Sequence, residues 1–136
     1  TTIKSICAHN RNLKFYVFND DISSEWFQLM SKRLELLSSE IVNVKITNHS
    51  LRDYNLPLSH LSYAAFFRYF IPQFVKEDKA LYLDSDIIVR SNIDELFLED
   101  ITDYPLAADK PCLDINNIAQ IADFITVWYE QKCGRI

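Results

Sequence analysis

Apolar positions along the chain change period several times, and each change marks an element. Ile3, Ile6 and Cys7 recur at helical spacing, which predicts a helix over Thr2–His9 closed by Asn10, Arg11 and Asn12. Lys14–Asn19 is rich in aromatic and β-branched residues and predicts a strand. Ser23 or Ser24 can cap a second helix over residues 25–37. Within it Trp26, Met30, Leu34 and Leu37 form an apolar stripe, with Lys32, Arg33 and Glu35 opposite. Residues 41–46 predict the next strand, and the polar, proline-containing stretch 47–58 a loop. Ser59 or Ser62 then starts a helix that runs to Phe70 and halts at Ile71-Pro72. A strand comes next over residues 80–84, a single Asn-capped helical turn over 92–97 and a short strand over 105–108. Asn116 or Asn117 caps a last helix over residues 118–132, with Gly134 at its C-cap.

Helices alternating with strands predict an α/β domain, a mostly parallel sheet flanked by helices, over residues 1–136. Loops beyond the C-terminal ends of the strands are then the expected binding edge. The chain opens on a helix, where such domains usually open on a strand.

The stretch at that edge is Ala80-Leu81-Tyr82-Leu83-Asp84-Ser85-Asp86-Ile87-Ile88-Val89, an apolar run broken by two carboxylates one residue apart. Burying two anions beside Leu, Ile and Val is costly without a compensating charge. In an extended backbone Asp84 and Asp86 point to one side, so both can reach a single divalent cation. Oxygen ligands alone favour Mg²⁺, Mn²⁺ or Ca²⁺ over zinc or copper. An isolated Asp-x-Asp is also compatible with a solvated turn. A calcium-binding EF-hand loop is excluded: Glu95 stands at the twelfth position, but Ile88 occupies a ligand position and Val89 replaces the required glycine. A phosphoaspartyl phosphatase, with Asp84 as nucleophile, remains as a rival. Such sites usually sit on the first strand, however, whereas this pair is mid-chain.

Composition narrows the chemistry. Apolar residues make up 49% of the 136, enough for a one-domain core. The net charge of −5 argues against nucleic acid, which demands a basic footprint. The only glycine is Gly134, so a glycine-rich phosphate loop or a GxGxxG turn is impossible. Phosphates must instead be met by a metal, an arginine or helix N-termini. Cys7, Cys112 and Cys133 are odd in number and scattered, which fits a reducing compartment. No apolar run reaches the roughly 18 residues of a membrane span. The opening Thr1-Thr2-Ile3-Lys4-Ser5 lacks the pattern of a signal peptide, and it lacks a methionine, which points to missing upstream sequence. The expected location is the cytoplasm, or peripherally at the inner membrane face.

Arg68 is the single charge in Ser62-Tyr63-Ala64-Ala65-Phe66-Phe67-Arg68-Tyr69-Phe70. It either pairs with a carboxylate such as Asp84 or meets a phosphate. His9, His49 and His60 show no metal-ligand spacing, and no Ser/His/Asp or Cys/His nucleophile is arguable. The apolar faces of the helices carrying Trp26 and Trp128 are core or, for the last helix, a contact surface.

The block from His60 to Pro72, followed by Asp78-Lys79 and the decapeptide through Val89, resembles family 8 glycosyltransferases. These are retaining enzymes of the bacterial lipopolysaccharide galactosyl- and glucosyltransferase type, related to glycogenin. Residues 92–97 and Ser5-Ile6-Cys7-Ala8-His9-Asn10 extend the resemblance, which covers roughly residues 1–109. It implies a GT-A fold, a Rossmann-like nucleotide-diphospho-sugar transferase domain holding a UDP-sugar through Mn²⁺ or Mg²⁺. By motif position Asp84 and Asp86 would bind the metal, and Arg68, Asp84, Ser85 and Asp86 the donor. His60 and Asp109 fall near acceptor-binding positions; no catalytic residue is assigned. The implied reaction moves a hexose to a saccharide acceptor of a lipopolysaccharide-type glycan.

The departures from the family are equally specific. The first strand should precede Thr1, and neither a Phe-Asn-x-Gly-Val segment nor the C-terminal histidine of the metal site occurs; residues 110–136 depart from the pattern. The expected domain is therefore partial, with self-association through a sheet edge or the last helix. A catalytically incomplete remnant that binds nucleotide or a partner is the remaining alternative.

Overall fold

The period-2 run Lys14–Asn19 forms strand β1, and Glu40–Lys45 forms β2 beside it, in a computed structural model describing residues 1–47, 63–100, 106–108 and 126–129. The two strands are parallel, with Lys14 opposite Glu40 and Asn19 opposite Lys45. A parallel pair needs a crossover, and helix α2, Ser24–Glu35, supplies it and packs along β2.

The boundaries of α2 have local causes. Ser23 is the N-cap, and its hydroxyl accepts from the Trp26 amide at 3.3 Å. The Glu25 carboxyl is held below its usual range by its own backbone N–H and by Ser23. At the other end Ser38 takes a left-handed φ of 52°. That turn lets the Ser39 amide reach the Leu34 carbonyl and the Ser38 amide the Glu35 carbonyl, both at 3.0 Å, the Schellman arrangement. The helix buries Leu34 as expected, and Phe27, which the stripe Trp26-Met30-Leu34-Leu37 had left out.

Val42 and Val44 alternate along β2, with Ile46 just past its end, and Tyr16 and Phe18 along β1. They pack with Phe66, Phe67 and Phe70 of a 3₁₀ helix, Tyr63–Phe70, into an apolar cluster. The expected helix ends at Phe70 as predicted, though it is a 3₁₀ helix, and the chain re-enters a helix at Ile71 instead of leaving helical structure. Pro72 lies in the first turn of a short helix α3, Ile71–Phe74, where its missing N–H breaks no helical hydrogen bond. The start of that expected helix and the predicted loop through residue 58 lie mostly outside the described residues.

These elements, residues 11–76, make one compact unit. Residues 1–10 and 77–136 make a second. In the second, helix α1 is Thr2–His9, as predicted. Strand β3, Lys79–Tyr82, is followed by helix α4, Asp94–Leu98, strand β4, Leu106–Ala108, and strand β5, Thr126–Tyr129. β5 lies between β3 and β4 and is antiparallel to both. This corrects the expected last helix: residues 126–129, including Trp128, are strand. The stretch Thr-Val-Trp-Tyr is β-branched and aromatic, and pairing on both sides satisfies its backbone, so the strand prevails over the helical periodicity. The rest of that predicted helix and its Gly134 cap lie outside the described residues.

Candidate functional site

β3 ends at Tyr82, two residues short of the predicted strand, and the chain then enters a turn. The Ile87 amide reaches back to the Asp84 carbonyl at 3.4 Å, which places Ser85 and Asp86 at the corner. The two carboxylates are therefore presented by a turn and not by an extended strand, so period-2 alternation does not set their relative direction. Their environments differ too. Asp84 is half-buried, whereas Ser85 and Asp86 are exposed. Only Asp84 carries part of the burial cost expected of the pair.

Asp84 is oriented by its own strand. Tyr82 stands two residues earlier, and its hydroxyl donates to Asp84 Oδ1 at 2.6 Å, a short charge-assisted bond.

The backbone of the turn is held by α1. Thr2 Oγ1 lies 3.0 Å from the Asp84 carbonyl and 2.9 Å from the Ile87 carbonyl. One turn further along, Ser5 Oγ accepts from the Val89 amide at 2.9 Å and donates to the Thr2 carbonyl at 2.8 Å. Asn10, just past the helix, is buried. Its Oδ1 accepts from the Ile93 amide at 2.8 Å, and its Nδ2 donates to Ser91 at 3.3 Å and to Ile6 at 2.9 Å. Residues 84–93 run without a strand partner, and these side chains replace the missing ladder. Ile6, Ile87 and Ile93 are buried in the same unit.

The far end of the segment has its own ties. Asn92 Oδ1 accepts from the Asp94 amide at 2.6 Å, a tight turn just ahead of α4, whose N-cap is Ile93 and not the expected asparagine. Lys79 Nζ donates to the Phe97 and Glu99 carbonyls at 2.8 and 2.6 Å, a cation on the C-terminal end of that helix.

Sequence reasoning missed Thr2, Ser5, Asn10 and Tyr82. A faint signal existed for the first two: small hydroxyl residues at i and i+3, beside the inward-facing Ile6.

Arg68 is half-buried on the 3₁₀ helix of the unit formed by residues 11–76. His60 and Asp109 lie outside the described residues. A depression of about 370 Å³ in the same unit as Arg68 is lined by Asn12, Lys14, Glu35, Ser38, Ser39 and Glu40. It opens at the N-terminal ends of β1 and β2 and contains none of the expected site residues. Among the described residues no three His, Cys, Asp or Glu converge on one point, and no helix is long and apolar enough to cross a membrane.

The parallel β1–α2–β2 unit has the build of a Rossmann-like α/β fold. A family model of glycosyl transferase family 8 matches residues 1–128, and the chain belongs to that family. The match runs past Asp109, where the recognisable motifs end. Glycosyltransferase GlyB of Streptococcus pneumoniae serotype 4, strain TIGR4, is 54% identical over 142 aligned residues, covering 100% of this chain and 35% of GlyB. Glycosyltransferase GlyA of the same strain is 52% identical over 108 residues, covering 79% of this chain and 15% of GlyA. The crystal structure of apo-form glycosyltransferase GlyE from that strain superposes with a TM-score of 0.72 at 34% identity, over 94% of this chain and 29% of GlyE. The expected partial GT-A, Rossmann-like fold is thereby borne out. The chain spans 35% or less of the length of each of these relatives.

Proposed function

We propose that this chain carries the donor-binding part of a metal-dependent, retaining glycosyltransferase that moves a hexose from a UDP-sugar to a saccharide acceptor. The observation that carries the reading is the Asp84-Ser85-Asp86 turn, held in place by α1 at the C-terminal end of β3, in a chain of glycosyl transferase family 8.

The donor set fits a hard divalent cation of the Mg²⁺ or Mn²⁺ kind. Such an ion is commonly held by one or two carboxylates and completes its shell with water and substrate phosphates, so a protein cage of three or more ligands is not needed. Asp84 and Asp86 would hold it, Asp84 with a carboxylate pre-aimed by Tyr82 and Asp86 with an exposed one. When bound, the cation supplies positive charge against the diphosphate of the donor and of the departing UDP. In the transfer the bond from the sugar's anomeric carbon to the diphosphate oxygen breaks, and its electron pair leaves with UDP. The acceptor hydroxyl oxygen forms the new bond to that carbon and gives up its proton. In a chain without a glycine-rich phosphate loop, such a cation is one of the few groups able to meet the diphosphate. Ser85 and Arg68 are proposed to meet the donor, and His60 and Asp109 the acceptor.

Titration with UDP in the presence and absence of Mn²⁺ tests the reading. UDP binding is expected to require the metal and to fall at least tenfold in Asp86→Ala, the scale on which metal sites respond even to outer-shell changes. Metal-independent binding, or binding untouched by Asp86→Ala, would sink it. Trapping of a phosphorylated Asp84 would favour the phosphatase reading instead.

A further inference from the structure

A turn outside a sheet has no ladder to satisfy its carbonyls, so something else must. The turn carrying Asp84, Ser85 and Asp86 closes on itself only through the 3.4 Å contact between the Ile87 amide and the Asp84 carbonyl. The carbonyls at its two ends, those of Asp84 and Ile87, both face the hydroxyl of Thr2, at 3.0 and 2.9 Å. Thr2 is 8% exposed and lies 82 residues from Asp84 in the chain. One hydroxyl between two acceptors sets how far apart the ends of the turn stand. That spacing in turn sets the directions in which the Asp84 and Asp86 side chains leave the backbone.

Thr2 is well placed for this duty. Its β-branched side chain has little rotamer freedom to lose. Ser5 and Asn10 hold the same segment further on, at Val89, Ser91 and Ile93.

We propose that Thr2 is a positioning residue of the donor site: its hydroxyl fixes the Asp84–Ile87 turn in the form in which the two carboxylates grip the donor's metal–diphosphate. The proposal rests on Asp84 and Asp86 being the metal-binding carboxylates. It predicts that binding and stability respond differently to changes along α1.

Calorimetric titration of the full chain with UDP in Mn²⁺, together with thermal unfolding of the same samples, tests it. Thr2→Val keeps the shape and removes the hydroxyl, and the Kd for UDP is expected to rise tenfold or more, on the order seen for outer-shell partners of metal sites. Thr2→Ser should restore it to within about twofold. Ser5→Ala cuts a bond of the same kind beyond the turn; it should lower Tm but leave the Kd within about twofold. If Thr2→Val does not give the wild-type circular dichroism spectrum, Thr2→Ala takes its place, since it places no methyl against the two carbonyls. A Kd that merely follows Tm across all variants would reduce Thr2 to a structural residue and overturn the proposal. Wild-type affinity in Thr2→Val, with binding still lost in Asp86→Ala, would overturn this role alone. Wild-type affinity in Asp86→Ala would remove the carboxylate reading and the role of Thr2 together.

Discussion

Asp84 is half-buried with Oδ1 accepting from the Tyr82 hydroxyl at 2.6 Å, while Asp86, two residues on, stands exposed. The same side chain is thus held in one place and left adjustable in the other. A hydrogen bond to a charged acceptor contributes about 1.5–3 kcal/mol, enough to keep one carboxylate orientation dominant before any ligand arrives. Tyr82→Phe should therefore weaken Mn²⁺-dependent UDP binding about tenfold, as outer-shell changes do, with the effect read by calorimetry. An unchanged Kd would mean that the tyrosine only packs. This contact has the i and i+2 spacing visible in the sequence, although β3 ends at Tyr82 and strand alternation alone does not bring the two side chains together. For Thr2, Ser5 and Asn10 the sequence offered at most a hydroxyl face at residues 2 and 5, and not the partners of these contacts. Those contacts span more than 80 residues, and nothing local in a helix says which distant carbonyl its hydroxyls will meet.

At the scale of elements, α1 and β1 match their predicted bounds, and α2 and β2 differ by a residue or two at their ends. In each the hydrophobic period and the flanking caps agree, so the local code suffices. The C-terminus of α2 is an exception with a cost: Ser38 sits at φ 52°, where a residue with a Cβ is disfavoured. Ser38→Gly relieves that cost and should stabilise the protein by about 0.5–1 kcal/mol. A urea midpoint that falls instead would show that the serine side chain is needed there. Strand β5 is where local reading went astray, and the helix that ends at Phe70 as expected is of the 3₁₀ kind. Both are apolar and aromatic stretches whose period is compatible with several structures; packing of Phe66, Phe67 and Phe70 goes with the helix and two-sided strand pairing with β5. In a 3₁₀ helix residues i and i+3 share one side, which brings Phe67 and Phe70 together into the cluster and Phe66 beside Tyr69 at 6.1 Å.

On the scale of the whole molecule, the chain divides into two units, and the division does not respect sequence order: residues 1–10 belong with residues 77–136. The unit of residues 11–76 draws its stability from the cluster of Val44, Ile46, Phe66, Phe67 and Phe70 under β1 and β2. Phe70→Ala should cost about 3–5 kcal/mol there. Leu36→Ala, at a residue 86% exposed, should change stability by less than about 0.5 kcal/mol. Denaturant unfolding monitored by circular dichroism checks the pair, and equal losses would refute this placement of the core. By itself the sequence determined the local elements with unambiguous period, the acidic and glycine-poor character that rules out a glycine-rich phosphate loop, and the position of the two carboxylates at the end of a strand. Each depends on neighbouring residues or on composition. Only the tertiary structure decided that the carboxylates ride on a turn, that β5 inserts between β3 and β4, and that α1 holds the turn by Thr2. Those outcomes are set by hydrogen bonds and packing between segments tens of residues apart, where register and partner are chosen by the fold as a whole.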